Sequence, residues 1–432
     1  MKSIKDKPKA QTIYLWNIIG SFSNAVASVI FLAAVSRFTG SEESDIFSLA
    51  WSIAQLVLTI GTFQVRLFQA TDVEGKFSFR QYLIFRFASV SVMIVSSVIY
   101  IAIHNYTGLK AAVIMALCIY KAIEALSDVY QGWFQQKERL DLAGKALSCR
   151  TISSLIVFMV VLLGTGNILV SCICITGVSF ICLLAFEIRY MVKGDFIKLV
   201  EKNKDSQWFL KLLVTCLPLF LNSYLVMSIF NAPKMAIDQS ITKGYMEAGM
   251  QTIYNIVFMP TSVINLVYIV FRPLITKMAL EWTAGKPDAY LKLVRQVIIK
   301  LVIISIVILG GGYCLGIPAL SIVYGVSLEG AKKALMILLI AGGMNTVVNV
   351  LDNALTVIRR QYTLIAAYVI TWIYAELTAS FWVKKMGLTG AAVSFLTSMT
   401  VLLVTVGILF IFGYNVAKKQ VLQKDSVCNE KE

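Results

Sequence analysis

The chain has 432 residues, of which 58% are hydrophobic and only 15% are charged, and its formal net charge is +15. Soluble globular proteins carry about 45–50% apolar and about 25% charged residues, so the composition excludes an ordinary soluble domain. The apolar residues gather into blocks of about 20, the length that a helix needs to cross a bilayer. In a membrane protein, the basic charge indicates loops that face anionic lipid rather than a nucleic-acid partner.

The apolar blocks predict twelve membrane-spanning helices. Lipid offers the backbone no hydrogen-bond partner, so each block is expected to be helical. The blocks are residues 13–35, 45–63, 83–103, 109–130, 152–166, 168–186, 208–230, 246–271, 297–315, 334–357, 362–382 and 388–412. The polar stretch 187–207, either a solvated linker or an amphipathic segment on the membrane surface, separates two sets of six. We therefore predict an N-terminal lobe, 1–195, and a C-terminal lobe, 196–432.

The distribution of Lys and Arg predicts the orientation. With the N-terminus inside, the inner connections and both tails carry more than three times as many Lys and Arg residues as the outer connections. Cytoplasmic loops carry such an excess, so both termini are predicted to be cytoplasmic. The basic N-terminus leads into a full-length span with no small-residue cleavage site, so no cleavable signal peptide is expected.

Two basic positions recur in both halves of the chain. Arg37 follows the first span and Lys234 follows the seventh, both on the predicted outer side. Arg66 ends the second span and Arg272 ends the eighth, both on the inner side. Two similar six-helix halves are a common transporter architecture, with the substrate at their interface. The four residues either line such a cavity and bind an anion there or only anchor helix ends to lipid headgroups.

Ionisable residues inside membrane spans are costly and are candidates for function. Lys121, Glu124 and Asp128 lie on one face of the fourth span, where Lys121 and Glu124 could neutralise each other. Asp352 in the tenth span and Glu376 in the eleventh have no opposite charge nearby in the sequence. They are candidates for coupling or gating, with packing as the alternative.

The seventh span combines a helix-bending residue with amides. Pro218 removes a helix hydrogen bond and is a candidate hinge. Asn222 and Asn231 lie on the same span and are candidate cavity residues. A bent helix that carries amides suits a wall that changes shape during transport.

Enzyme signatures are largely missing from the sequence. His104 is the only histidine, no Asp-x-Asp motif occurs, and the eight cysteines show no metal-site spacing. The segment GVSLEGAKK, residues 325–333, lacks the Lys-Ser/Thr pair that a phosphate-binding loop needs after its second glycine. We therefore expect neither an enzyme nor a cofactor or metal site, so transport would be driven by an ion gradient, the substrate gradient or a partner.

Several segments resemble the polysaccharide repeat-unit flippases of the multidrug/oligosaccharidyl-lipid/polysaccharide (MOP) exporter superfamily. They are QATDVEGKFSFRQYLIFR (69–86), EALSDVYQGWFQQKERLDLAGKALSCR (124–150), LPLFLNSYLVMSIFNAPKMAID (217–238), YNIVFMP (254–260) and FRPLITK (271–277). Together with the six-plus-six layout, the resemblance covers nearly the whole chain.

The resemblance implies an all-α membrane protein with two six-helix lobes around a central cavity, working by alternating access with bending of the first and seventh helices. The implied cargo is a polyprenyl-diphosphate-linked oligosaccharide, flipped from the inner to the outer leaflet of a bacterial cytoplasmic membrane for surface polysaccharide synthesis. Membrane lipids and other polysaccharide-assembly proteins are the expected partners. Two alternatives remain open: a drug/cation antiporter of the same superfamily, and a membrane-embedded polymerase or glycosyltransferase.

Overall fold

The computed structural model describes residues 8–72, 75–194, 196, 206–269 and 271–429, and within them it leaves out the side chains of 71, 262–263, 265–269, 272–273 and 421–429. This described part is helical and contains no strand. Its first helices are α1 (Ala10–Phe38), α2 (Ser41–Thr62), α3 (Val65–Thr71), α4 (Phe79–Ile103), α5 (Gly108–Gln136), α6 (Leu140–Thr165) and α7 (Ile168–Cys182). A π-helical turn, Leu183–Ile188, continues α7 into α8 (Arg189–Lys193).

The remaining helices begin after the central connection. They are α9 (Trp208–Thr242), α10 (Met250–Ile269), α11 (Arg272–Thr283), α12 (Pro287–Gly311), α13 (Ile317–Tyr324), α14 (Lys332–Val357) and α15 (Leu364–Asn429). A π-helical turn, Gly312–Gly316, joins α12 to α13. Helix α15 is interrupted at Gly387, whose φ of 55° and ψ of −132° are not helical, so its two halves meet without a loop.

Each of the twelve predicted spans falls on a helix. Among the described residues, nine helical segments are long and apolar enough to cross a membrane, and the last of these, residues 361–420, contains two predicted spans. The other two predicted spans correspond to α5 and α10. Helix α5 carries Lys121, Glu124 and Asp128, which lower its hydropathy. The chain is therefore a multi-pass, all-helical membrane protein of about twelve helices.

The chain divides into two compact units, with the division between Met227 and Ser228 inside α9. In the first unit α1 packs along α6, and α5 packs against α2, α3, α4 and α7. In the second unit α14 packs against α10, α12 and α15. The predicted lobe boundary at residues 195 and 196 lies in the connection before α9, and that division stays a prediction.

The contact between α1 and α6 depends on a glycine. A Cβ atom on Gly144 would overlap the carbonyl group of Trp16 and would lie 2.8 Å from the backbone nitrogen of Asn17. Gly20 on α1 approaches Gly144 from the other side, where an added Cβ would lie 2.9 Å from the Gly144 oxygen. Small residues allow two helix backbones to approach closely, as is common in membrane helix pairs.

Because the fifth span, 152–166, is short, its helix is expected to start earlier, near Ala146, and two helices extend even further into polar sequence than predicted. Helix α6 begins at Leu140 rather than at residue 152, with Asp141 and Arg150 both buried. The helical segment that begins with α7 runs to Lys193, so Glu187 is a buried helical residue and not the start of the polar connection. Part of that connection, residues 195, 197–205, lies outside the described residues, and its interpretation as linker or surface helix stays open.

Three candidate residues also sit differently in their elements than predicted. Arg66 does not end the second span: α2 ends at Thr62, and Arg66 lies on the separate short helix α3. Arg272 likewise begins α11 rather than ending α10. Lys234 does not follow the seventh span, because α9 continues past it to Thr242. Arg66 is the second residue of α3 and Arg272 is the first residue of α11, which keeps the predicted correspondence between them.

Candidate functional site: a polar cavity beside Asp128

The candidate site begins where α2 gives way to α3. Phe63 and Gln64, which join the two helices, have left-handed backbones with φ of 45° and 52°. Such conformations cost residues other than glycine about 1–3 kcal/mol each, so surrounding contacts must hold them. The ring of Phe63 stacks on Phe220 with centroids 4.4 Å apart, and Nε2 of Gln64 donates to Oγ of Ser223 at 2.8 Å. The break lets α3 pack against α5, with Arg66 at the contact.

The guanidinium of Arg66 lies along one face of α5. Its Nη1 donates to Oδ1 of Asp128 at 3.1 Å and to Oε1 of Gln131 at 3.1 Å. Its Nε donates to Oε1 of Gln135 at 3.3 Å. The three acceptors are spaced by three and four residues, which places them on one side of a helix. Arg66 is therefore held at three points while 30% of its side chain stays exposed.

A glycine on α5 makes room for this arrangement. A Cβ atom on Gly132 would overlap the side-chain oxygen of Gln69 and would lie 3.3 Å from Cγ of Arg66. Gln69 is fully buried, and its Nε2 donates to the carbonyl oxygen of Val129 at 3.2 Å, so it has little freedom to move. Helix α3 can lie this close to α5 because residue 132 has no side chain.

A second arginine reaches the same carboxylate from inside the protein. Arg86 on α4 is fully buried, and its Nη2 donates to Oδ2 of Asp128 at 3.0 Å. Its Nη1 donates to the carbonyl oxygen of Gly61 at 2.7 Å, and Oγ of Ser89 donates to the same oxygen at 2.7 Å. The last carbonyl groups of a helix lack intrahelical partners, so the end of α2 supplies this acceptor.

The cluster of Asp128, Arg66, Arg86, Gln131 and Gln135, called the Asp128 cluster below, carries an excess of positive charge. Two guanidinium groups, which stay protonated in proteins, share one carboxylate. Each carboxylate oxygen accepts from a different arginine. Removing one partner of a buried ion pair typically costs about 3–5 kcal/mol, and of the two arginines only Arg86 is fully buried, so its pairing with Asp128 is the more costly to lose.

A cavity of about 430 Å³ opens beside the Asp128 cluster within the first unit. Small-molecule sites usually measure about 300–1,000 Å³. The polar side of the cavity is lined by Gln55, Thr59, Thr62, Gln64, Arg66, Asp128, Gln135 and Ser223. Hydroxyl and amide groups can both donate and accept hydrogen bonds, and a guanidinium can bind an anion through two parallel donors. The cavity therefore has the chemistry to hold a polar, anionic group.

A chain of hydrogen bonds leads from the Asp128 cluster into the interior of the first unit. Nε2 of Gln131 donates to Oγ of Ser127 at 2.9 Å, and that hydroxyl donates to Oε1 of Glu187. Glu187 is fully buried, and its Oε2 has no hydrogen-bond partner within the described residues. π-helical turns are frequent at functional sites, and Glu187 lies on one.

Lys121 and Glu124 form the predicted ion pair, with Nζ of Lys121 2.8 Å from Oε2 of Glu124.

Among the predicted cavity and hinge residues of the first unit that the structure describes, only Arg66 belongs to the Asp128 cluster, which also contains the intramembrane acid Asp128 predicted on the fourth span. Arg37 lies exposed in the last turn of α1. Pro218 and Asn222 lie on α9, which stays helical through Pro218. Oδ1 of Asn222 is buried without a hydrogen-bond partner among the described residues.

In the second unit, two predicted residues lie one turn apart on α9. Asn231 is buried, and Nζ of Lys234 lies 4.9 Å from the centroid of the Phe258 ring. Phe258 in turn packs edge-on against Phe395, with ring centroids 5.0 Å apart. Lys234 is thus placed over an aromatic face, which attracts cations. The side chain of Arg272 lies outside the described residues.

The two predicted intramembrane acids have different surroundings. Asp352 on α14 accepts a hydrogen bond from the Tyr368 hydroxyl at Oδ2, while Oδ1 is buried without a partner within the described part of the chain. Glu376 on α15 is exposed. Among the described residues, no group of three or more His, Cys, Asp or Glu side chains could hold a metal ion.

The comparisons with known proteins identify the fold. No protein-family model matches the chain, and no curated protein sequence matches it. Among solved structures, an inward-facing multidrug resistance MATE transporter of the MOP superfamily matches with a TM-score of 0.68 at 13% identity, covering 96% of this chain and 99% of that one. The chain has the fold of the MOP superfamily transporters.

Two further solved structures of this fold are transporters of different kinds. The lipid II flippase MurJ, in an inward closed conformation, has a TM-score of 0.64 at 12% identity, with 97% of this chain and 93% of that one covered. A MOP superfamily transporter from Pyrococcus furiosus Vc1, described as having a binding pocket of reverse polarity, has a TM-score of 0.56 at 13% identity, with 98% and 99% covered. At these identities the similarity establishes the fold and does not decide between substrates.

Two charged residues of the site region, Arg86 and Glu187, are not predicted as site residues by the sequence. Arg86 is the fourth residue of the predicted span 83–103. An arginine inside an apolar block is expensive unless it is paired, and that cost was a usable signal. Glu187 was assigned to the polar connection, and only its burial in the π-helical turn reveals it.

Proposed function

We propose that this protein is a flippase for polyprenyl-diphosphate-linked oligosaccharide repeat units. It moves them from the inner to the outer leaflet of a bacterial cytoplasmic membrane by alternating access, with both of its termini cytoplasmic. The product feeds surface polysaccharide biosynthesis, and other assembly proteins act beside it. The proposal requires no covalent step, in keeping with structural neighbours that are transporters and flippases.

The observation that carries the proposal is the charge of the cavity in the first unit. Two arginines share one carboxylate at its wall, and threonine, glutamine and serine side chains line its polar side. A diphosphate needs positive charge when it leaves water, and arginine binds phosphate oxygens with two parallel donors. The hydroxyls of an oligosaccharide need the neutral donors and acceptors beside it.

The test of the proposal is reconstitution of the purified protein into vesicles that contain a fluorescent polyprenyl-diphosphate oligosaccharide. Quenching from outside should show equilibration between leaflets that depends on the protein. Mass spectrometry of the recovered lipid should show no change in its mass. A leaflet distribution identical to that of empty vesicles would refute flipping, and a covalent change in the lipid would favour the enzyme alternative.

A drug/cation antiporter remains the second candidate, and one observation favours it. Oδ1 of Asp352 is buried without a hydrogen-bond partner within the described residues, and such a carboxylate could serve a cation. Vesicles of the same preparation, loaded with a fluorescent organic cation and given a proton or sodium gradient, distinguish the two functions. Cation export without any effect on the lipid would support the antiporter.

A further inference from the structure

We infer that Arg86 is a positioning residue that keeps Asp128 neutralised so that Arg66 can leave it for an anionic ligand. The inference rests on the proposed function, because it names the charge that the ligand of this cavity must carry. It extends that function to a residue that does not line the cavity. Arg86 thereby sets the ligand class without touching the ligand.

The two carboxylate oxygens of Asp128 accept hydrogen bonds from different arginines. Oδ1 accepts from Nη1 of Arg66 at 3.1 Å, and Oδ2 accepts from Nη2 of Arg86 at 3.0 Å. The two guanidinium groups therefore do not compete for one oxygen. If Arg66 turns away, Asp128 keeps a full charge-assisted hydrogen bond and remains paired.

The two arginines differ in their exposure and in the partners that hold them. Arg86 has no exposed surface, and its Nη1 is tied to the carbonyl oxygen of Gly61 at 2.7 Å. Arg66 is 30% exposed and lines the cavity together with Asp128. The other acceptors of Arg66 are the neutral amides of Gln131 and Gln135, which bind a guanidinium less strongly than a phosphate does. Arg66 is thus the arginine that can exchange partners.

When Arg66 exchanges Asp128 for the ligand, the positive charge that the ligand meets becomes localised on Arg66. While Arg66 is paired with Asp128, the excess positive charge of the site comes from Arg86, which is buried and does not line the cavity. Once Arg66 turns to the ligand, Arg86 and Asp128 form a neutral pair and the ligand meets a whole positive charge. A cation in the same cavity would be repelled in both arrangements. The geometry therefore assigns an anionic headgroup, such as a diphosphate, to this cavity.

Binding of inorganic pyrophosphate to the purified full-length protein in detergent, measured by calorimetry, tests the inference. Arg66→Gln should abolish binding. Arg86→Gln cancels the excess positive charge and should weaken binding about tenfold or more, whereas Asp128→Asn removes the carboxylate that neutralises one arginine and should tighten binding. The double variant Arg86→Gln/Asp128→Asn keeps Arg66 as the single charge and should return the affinity to within about threefold of the wild-type value.

The control variant removes a comparable buried charge elsewhere in the first unit. Nε of Arg139 pairs with Oδ1 of Asp141 at 2.9 Å, and both side chains are largely buried. Arg139→Gln should leave pyrophosphate binding unchanged. Thermal melting of every variant shows whether it is folded, and if Arg86→Gln does not fold, Asp128→Asn alone still decides the outcome.

Two results would overturn the inference: weaker pyrophosphate binding in a folded Asp128→Asn variant, or a folded double variant that binds no better than Arg86→Gln. Choline, tested on the same variants, should follow the opposite order if the cavity serves a cation, and that result would also overturn it. The proposed function fails by a different measurement, the vesicle assay. Pyrophosphate binding in the expected order without lipid flipping would support the charge arrangement and refute the flippase.

Discussion

Gly132 on α5 lies against the side chain of Arg66, so close that an added Cβ atom would stand 3.3 Å from the Arg66 Cγ. The absence of a side chain at position 132 leaves room for the Arg66 side chain beside α5. Helix α3, which carries Arg66, has only seven residues, so a displacement at this contact moves the whole helix.

Gly132→Val is therefore expected to push α3 away from α5 and to separate Arg66 from Asp128. Overpacking of this kind costs about 1–3 kcal/mol of folding free energy, and lipid flipping in vesicles should fall more than stability alone explains. The matched control is Gly164→Val on α6, where an added Cβ meets no atom within 4 Å. Equal flipping by the two variants, at equal amounts of folded protein, would contradict the positioning role of Gly132.

Arg66→Lys is expected to reduce flipping about tenfold, because lysine keeps the charge but loses the planar fork that binds Asp128, two glutamines and a phosphate. The measurement is the initial rate of lipid equilibration at matched protein density. Arg139→Lys alters another buried arginine pair and should change the melting temperature without changing the rate per folded molecule. A wild-type rate for Arg66→Lys would reduce Arg66 to a structural anchor.

Arg37, Lys234 and Arg272 are predicted, like Arg66, to bind the anionic group of the lipid. Arg37→Gln, Lys234→Gln and Arg272→Lys are expected to lower flipping while membrane insertion stays intact, as judged by the amount of protein in the membrane fraction. Lys234 lies over the Phe258 ring, so the loss of its cation–π contact should also lower the melting temperature of Lys234→Gln. If all three variants flipped lipid at the normal rate, these residues would serve as headgroup anchors.

Asp352 and Glu376 are expected to contribute to coupling or gating, with the larger effect at Asp352. Tyr368 donates to one oxygen of Asp352 and leaves the other buried without a partner among the described residues, whereas Glu376 is exposed. Asp352→Asn should therefore abolish any dependence of flipping on a proton or sodium gradient, and Tyr368→Phe should alter that dependence in the same assay. Unchanged gradient dependence in Asp352→Asn and Glu376→Gln would identify both acids as packing residues.

Both termini and the central connection are predicted to be cytoplasmic. Single cysteines introduced by Lys202→Cys and Lys424→Cys, in a background without native cysteines, should react with a membrane-impermeant thiol reagent only after the cells are opened. Glu329→Cys, exposed between α13 and α14 on the predicted outer side, is the control that should react in intact cells. Labelling of residue 202 or 424 from outside would invert the topology.

The spans were predictable because hydrocarbon imposes a length and a composition on each helix, and all twelve fall on helices. The site was only partly predictable. Arg66 was recognised as a basic residue beside a span, but its partner Asp128 lies 62 residues further along the chain. The break at Phe63 and Gln64 gave no signal, because neither residue favours a left-handed backbone.

The buried partners were harder still to predict. Arg86 lies in an apolar block, where position alone does not reveal that it reaches the end of α2 and the carboxylate of Asp128 at once. Glu187 faces inward because a π-helical turn changes the angular position of the residues that follow α7. Such a turn depends on tertiary packing and leaves no mark in hydrophobic periodicity.

The interruption of α15 at Gly387 has a mechanical consequence. Since its two helices meet at a single non-helical residue, no flexible connection lies between them to absorb a displacement. A displacement of one helix is therefore transmitted directly to the other. Replacing Gly387 by a flexible insertion would uncouple the two helices while leaving each of them helical, and any transport step that relies on their common motion would slow down.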